Sequence, residues 1–231
     1  MNHCIEALET EAFSAEREWT AEGIPVLRAA ISLPQPTVRD SRTARRIYRF
    51  YQLQGRSYFR YCENWLVPQA AAHCRQALAD SAPLPLYTAQ LTYRVTCSEN
   101  GFWSLHTDSR EFTGGKTQVL RRGDTWDLHT GYPVPITTFF PRQAHVRALL
   151  LKTAAAEIRR QEEAGIAQYS ASWPQAMKRT FNRNHFYLTP EGLCFFWQIY
   201  AIAPSAEGIP VFRIPFGENG CLPLQDIRRK V

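Results

Sequence analysis

Apolar and polar residues change their spacing several times along the chain, and each change predicts a different element. Residues 24–33 are mainly apolar and are followed by Pro34, which predicts a strand. Between residues 40 and 80, aromatic and leucine side chains recur every three or four positions. This spacing predicts a helix that stops at Pro68 and a second helical segment over residues 69–79.

The middle of the chain has the pattern of a sheet. Residues 86–97 are rich in β-branched and aromatic side chains, and Asn100 and Gly101 follow them. An Asn-Gly pair supplies the positive φ angles of a tight hairpin turn, so residues 102–112 should return as the partner strand. A third strand over residues 117–128 would complete an antiparallel meander.

The last third mixes helical and extended patterns. Apolar positions predict helices over residues 142–164 and 174–181, and strands over 186–188, 193–202 and 211–214. No linker or repeat separates these elements. The predicted fold class is therefore α+β, a mainly antiparallel sheet packed against several helices. We expect one domain over residues 23–231, after an acidic arm or helix at residues 1–22.

Charge is unevenly distributed along the 231 residues, which carry a formal net charge of +6. Six glutamates lie within the first 22 residues, and an arginine-rich stretch follows. Such asymmetry is evidence about electrostatic partners and not about the fold.

Two further features concern the compartment. No run of about 18 apolar residues is present, and the first residues lack the basic start of a secretory signal. The sequence as given therefore predicts a cytoplasmic protein, or an extracytoplasmic one if a leader was removed. The six cysteines form no CxxC pair, so we expect mainly buried thiols in a reducing compartment.

Two stretches resemble a known family. One begins at Phe186-Tyr187-Leu188-Thr189, runs through Pro190-Glu191-Gly192, and ends in Glu207-Gly208-Ile209-Pro210 and Ile214-Pro215-Phe216. The other comprises Gly114-Gly115, then Trp126-Asp127-Leu128-His129-Thr130-Gly131 and Phe139-Phe140. Together they resemble the extracellular lysozyme-binding domain of the anti-sigma factor RsiV. A similar non-catalytic domain accompanies the peptidoglycan deacetylase PdaC.

This resemblance covers roughly residues 24–216; it is stronger over residues 142–216 than over 23–141. It implies a non-enzymatic binding module without a cofactor, whose partner is a protein such as lysozyme or a cell-wall glycan. The positions that carry the family motif are Asp127, Gly131, Phe186, Tyr187, Gly192, Tyr200, Gly208, Pro210 and Pro215. Turn and strand chemistry alone also accounts for these residue types.

The arginine- and tyrosine-rich segment over residues 42–65 supports an alternative function. Arginine neutralises phosphates and tyrosine stacks on bases, so this helix would bind a nucleic acid or another polyanion. An ordinary amphipathic helix, with its arginines outward, has the same pattern. The candidate binding residues are Arg42, Arg45, Arg46, Arg49, Arg56 and Arg60.

A second alternative is an uncharacterised hydrolase with a site near His106, Asp127 and His129. Asp124, Asp127 and His129 also offer oxygen and nitrogen ligands for a metal. However, a polar strand end has the same composition, and no nucleophile elbow or phosphate-binding loop is present in the sequence. The sequence therefore favours a binding module over an enzyme, with no catalytic residue and no metal assigned.

Overall fold

The computed structural model describes residues 7–38 and 41–227. Within these residues nine strands form two sheets, ordered β1-β2-β3-β4-β5-β6 and β7-β8-β9, together with five α-helices. The predicted α+β class is confirmed. The chain divides into two compact units, one of residues 9–94 and 107–120, the other built mainly from residues 95–106 and from residue 121 onward. The single domain over residues 23–231 stays a prediction.

The first unit begins with a β-hairpin. Strand β1 (Thr10–Ala21) pairs antiparallel with β2 (Ile24–Pro36), and Glu22 and Gly23 form the turn with φ angles of 53° and 78°. The prediction of an acidic helix or loose arm was wrong for residues 10–21. Glutamate favours helix locally, but the backbone ladder to β2 determines the structure here. Residues 1–6 of the predicted arm lie outside the described residues.

A long helical crossover joins β2 to β3 (Tyr87–Glu99). It comprises α1 (Arg42–Tyr61), a π-helical turn (Cys62–Leu66) and α2 (Val67–Ala79). The expected stop at Pro68 does not occur, because proline is tolerated in the first turn of α2. The crossover leaves β2 and β3 parallel, with Leu27 opposite Tyr87.

The predicted meander is confirmed. Strands β4 (Phe102–Phe112) and β5 (Thr117–Asp127) follow β3 in sheet order, and a two-residue strand, β6 (Tyr132–Pro133), ends the sheet. The Thr96 hydroxyl donates to the Ser104 carbonyl and the Thr92 hydroxyl donates to the Asp108 carbonyl, so strands β3 and β4 run in opposite directions. Asn100 and Gly101 have φ angles of 51° and 67°, as the hairpin turn requires.

The second unit holds the other sheet and, among its described residues, three α-helices and two short 3₁₀ turns. The α-helices are α3 (Val146–Glu163), α4 (Trp173–Arg179) and α5 (Leu224–Ile227), and the 3₁₀ turns are Ile136–Phe139 and Ser205–Glu207. Strands β7 (Phe186–Thr189), β8 (Gly192–Phe196) and β9 (Val211–Pro215) pair antiparallel. Its core contains apolar side chains of α3 and α4 together with one face of this sheet.

Strand β8 is shorter than predicted, because the expected strand over residues 193–202 ends at Phe196. The buried Trp197 donates its indole N–H to the Met177 carbonyl at 3.1 Å. Next, the Gln198 side chain bonds to both the N–H and the C=O of Arg121, and Tyr200 turns the chain with φ 65°. These tertiary bonds replace the ladder that the apolar run would otherwise continue.

The predicted burial of the cysteine thiols is confirmed in the described residues, and the reducing compartment stays a prediction. All five in the described residues (Cys62, Cys74, Cys97, Cys194 and Cys221) are buried free thiols. Burial raises the pKa of Cys62, Cys97 and Cys221 to about 12, which keeps these groups as thiols. In the part of the chain that the structure describes, no helix combines the length and apolar character needed to span a bilayer.

Candidate functional site

A groove of about 1100 Å³ lies between one flank of α3 and the edge of the small sheet, and we call it the α3–β9 groove. One stripe of α3, which contains Leu150, Ala154 and Ile158, is buried in the core. The neighbouring stripe, whose residues are three and four positions apart, therefore faces the groove. The helical wall contains Ala148, Leu149, Lys152, Thr153, Ala156 and Arg160. The facing wall contains Val211, Arg213 and Pro215 of β9.

The register of β9 determines which backbone groups face away from β8. Trp197 donates its N–H to the Pro210 carbonyl at 3.0 Å, and bonded pairs alternate along an antiparallel ladder. Phe212 and Ile214 therefore direct their N–H and C=O groups toward β8. Val211 and Arg213 direct theirs outward, on an edge with which no strand of the described residues pairs.

The opposite edge of the same sheet is covered. The backbone N–H of Leu188 in β7 donates to the Ser104 hydroxyl at 2.8 Å. The backbone of Phe186 lies so close to Gly123 that a Cβ there would be 1.8 Å from the Phe186 carbonyl oxygen. Strand β7 is thus protected by other parts of its unit, whereas β9 faces a cavity.

The rim of the α3–β9 groove is basic. The carboxylate of Glu157, which lines this rim, accepts two hydrogen bonds from Arg160, at 2.6 and 2.8 Å, and these bonds lower the pKa of Glu157. Lys152 also lines the groove, and Arg213 forms a 3.7 Å ion pair with the exposed Glu191. The groove therefore has a positive excess.

A smaller cavity of about 380 Å³ continues around the start of α3. It shares Ala144, His145 and Ala148 with the α3–β9 groove and adds Arg147 and Arg183. His145 precedes the helix without a capping side-chain bond, and the first turn of α3 contains no acidic residue. The positive end of the helix dipole therefore adds to the basic charge of this surface.

Asp127 has a structural role at the end of β5. Its carboxylate accepts from the His129 backbone N–H at 2.9 Å and from the Thr130 hydroxyl at 3.1 Å. Its own carbonyl accepts from the Gly131 N–H, where φ is 70°. The motif thus forms a hydrogen-bonded turn, as its residue types permit.

The other motif positions lie in the small sheet and its turns. Phe186 and Tyr187 are buried on opposite faces of β7, and a Cβ on Gly192 would lie 2.3 Å from the Ile214 carbonyl oxygen. Tyr200 and Gly208 have positive φ angles. Pro210 and Pro215 flank the outward-facing part of β9, and Pro215 also lines the α3–β9 groove.

The residues named for a hydrolase or metal site have other contacts. His106 is buried and packs on Tyr187, with ring centroids 5.1 Å apart, while Asp124 accepts from Arg122 at 3.1 Å. Over residues 7–38 and 41–227, no cluster of three or more His, Cys, Asp or Glu side chains is arranged to hold a metal. The hydrolase alternative stays a prediction.

The six candidate arginines lie on the exposed side of α1, while Ile47, Tyr51 and Tyr58 on the same helix are buried. The amphipathic pattern is thus confirmed, and polyanion binding by these arginines stays a prediction. The sequence did not single out the α3–β9 groove. A signal was present in the alanines and basic residues spaced by four along residues 148–160, but those residues indicate a groove only once β9 is placed beside them.

The chain is similar to a family of unknown function and to two solved structures. Residues 138–217 match a family model described as "Protein of unknown function (DUF3298)", and this stretch includes both walls of the groove. A DUF3298 family member from Bacteroides fragilis has a TM-score of 0.71 at 15% identity, covering 97% of each chain. A DUF3298 family protein from Pseudomonas aeruginosa has a TM-score of 0.60 at 20% identity, covering 95% of this chain and 96% of that one. Among curated proteins, no sequence matches.

Proposed function

We propose that this chain is a non-enzymatic binding module whose contact surface is the α3–β9 groove. The observation that supports this is the groove itself, which places apolar side chains of α3 beside a strand edge that the described strands leave unpaired. Apolar surface in a concave site favours ligand burial, and a few polar groups on its rim orient the ligand. The resemblance to RsiV-like domains makes a protein such as lysozyme, or a cell-wall glycan, the ligand to test first.

Filling the groove should abolish binding without disturbing the core. Ala156 is exposed on the groove side of α3, so Ala156→Trp places a large ring where the ligand would lie. We expect the affinity for lysozyme or for soluble peptidoglycan fragments, measured by isothermal titration calorimetry, to fall at least about ten-fold. Gln175→Trp, at an exposed position on α4 outside the groove, is the matched control.

Two results of this titration would contradict the proposal. If the unmodified protein binds neither lysozyme nor peptidoglycan fragments, both suggested ligands are wrong. Equal affinities of the two tryptophan variants would remove the groove as the contact surface. The circular dichroism spectra of both variants should match the spectrum of the unmodified protein, which shows that the fold is retained.

The exposed arginines of α1 support polyanion binding as a second candidate function. All six are solvent-exposed on one helix whose first turn contains no acidic residue. A row of arginines binds phosphate or sulfate groups by releasing their counterions, which makes the affinity salt-dependent.

Charge reversal on α1 tests this second candidate. The triple change Arg45→Glu, Arg49→Glu and Arg56→Glu should weaken binding to single-stranded DNA or heparin at least about ten-fold and should flatten its salt dependence. Fluorescence anisotropy at several salt concentrations measures both effects. Lys178→Glu, elsewhere on the surface, controls for net charge. Unchanged affinity in the triple variant would rule the candidate out.

A further inference from the structure

The outward edge of β9 offers the groups that a further strand needs. The N–H and C=O of Val211 and of Arg213 face away from β8, two residues apart, which is the spacing at which an added strand forms its bonds. The Pro215 carbonyl is already used, because it accepts from the Glu218 N–H at 3.2 Å. The edge thus has four backbone groups with defined directions.

The size of the groove suits an extended segment. Its helical wall runs from His145 to Arg160, which is about 22 Å at 1.5 Å per helical residue. A strand rising about 3.3 Å per residue covers that distance with roughly six or seven residues. Alternate side chains of such a segment would point to the alanine-lined flank of α3.

The charge of the groove selects the chemistry of the segment. Lys152 and Arg213 lie on opposite walls, whereas Glu157 is already bonded to Arg160. Carboxylates on an extended segment in the groove would lie in the positive field of Lys152 and Arg213. A basic segment would be repelled.

We infer that the α3–β9 groove binds an extended acidic peptide segment of another protein by strand addition to β9. The inference rests on the proposed function, since it names the occupant of the same groove. A second copy of this chain is a less suitable occupant, although its β1 is an acidic edge strand. Joining β9 of one copy to β1 of the next is a head-to-tail contact, which propagates into a filament unless the rotation closes a ring.

The backbone part of this inference is tested with a fluorescein-labelled heptapeptide that alternates glutamate with valine. Val211→Pro removes one outward N–H without removing a bond to β8, whereas Val211→Thr keeps it. By fluorescence anisotropy, we expect Val211→Pro to raise the Kd about ten-fold relative to Val211→Thr. The same peptide with N-methylated amides should lose binding to the unmodified protein, a measurement that requires no variant to fold.

The charge part uses the same probe. Lys152→Glu and Arg213→Glu should each weaken peptide binding about ten-fold, and the control Lys178→Glu should not. A peptide with lysine in place of glutamate should bind at least about ten-fold more weakly than the acidic one. Equal binding of the two peptides would overturn the assignment of an acidic partner.

Other outcomes separate this inference from the proposed function. If Val211→Pro and Val211→Thr bind the peptide equally while the charge variants fail, strand addition is overturned and the groove remains a binding surface. If the peptide does not bind but Ala156→Trp abolishes lysozyme or glycan binding, the acidic peptide is the wrong occupant and the proposed function stands. Concentration-dependent self-association that Val211→Pro abolishes would assign the edge to a second copy.

Discussion

Replacing Gly123 with alanine is expected to destabilise the protein by roughly 3 kcal/mol or more, among the largest effects of any single methyl group in this chain. A Cβ at this position would lie 1.8 Å from the carbonyl oxygen and 2.7 Å from the carbonyl carbon of Phe186. Both atoms belong to the backbone of β7, so no side-chain rotation relieves the clash. Either β5 or β7 would have to move.

Thermal unfolding followed by circular dichroism measures this effect. Gln118→Ala on the same strand is exposed and should change stability by no more than about 0.5 kcal/mol. A Gly123→Ala variant with the melting temperature of Gln118→Ala would show that β7 does not cross β5 this closely in solution.

Truncating Trp197 should cost a similar amount for a different reason. Its side chain is 1% exposed and lies against Phe195 and Phe212, with ring centroids 5.8 and 5.5 Å away. Trp197→Ala leaves a cavity in the core of the second unit, and such changes cost about 3–5 kcal/mol. Trp197→Phe keeps much of the packing but leaves the Met177 carbonyl without its indole donor, so we expect a loss of about 1–3 kcal/mol.

The same substitution at an exposed tryptophan provides the control. Trp65 is 65% exposed in the π-helical turn, and Trp65→Ala should alter stability by about 0.5 kcal/mol or less. Urea unfolding curves of the three variants should rank Trp197→Ala as the least stable and Trp65→Ala as the most stable. A Trp197→Ala curve that overlays that of Trp65→Ala would contradict the core assignment.

Sequence patterns predicted those elements whose structure is determined by neighbouring residues. The Asn100-Gly101 turn and the amphipathic side of α1 follow from local φ preferences and from side-chain periodicity. Strand β1 did not follow, because its extended form depends on pairing with β2 and its side chains are mainly exposed. The end of β8 at Phe196 also depends on distant groups, namely Met177 and the Arg121 backbone.

The candidate site shows the same limit more strongly. The motif turn at Asp127 was predictable because its hydrogen bonds join residues within four positions. The α3–β9 groove joins residues about sixty positions apart in the chain, such as Lys152 and Arg213. No spacing within either segment encodes the distance between a helix flank and a strand edge, so the sequence alone did not identify the groove.

The parallel pairing of β2 with β3 bears on how the first unit folds. Leu27 lies opposite Tyr87, so these strands meet only after the fifty-nine residues between them have closed into a loop. Closure of a long flexible loop is entropically costly, and forming α1 and α2 first shortens the span to be closed. We therefore expect the β1–β2 hairpin to form first, from local contacts, and β3 to join it later. The contact order of this unit, more than its core, should therefore limit its folding rate.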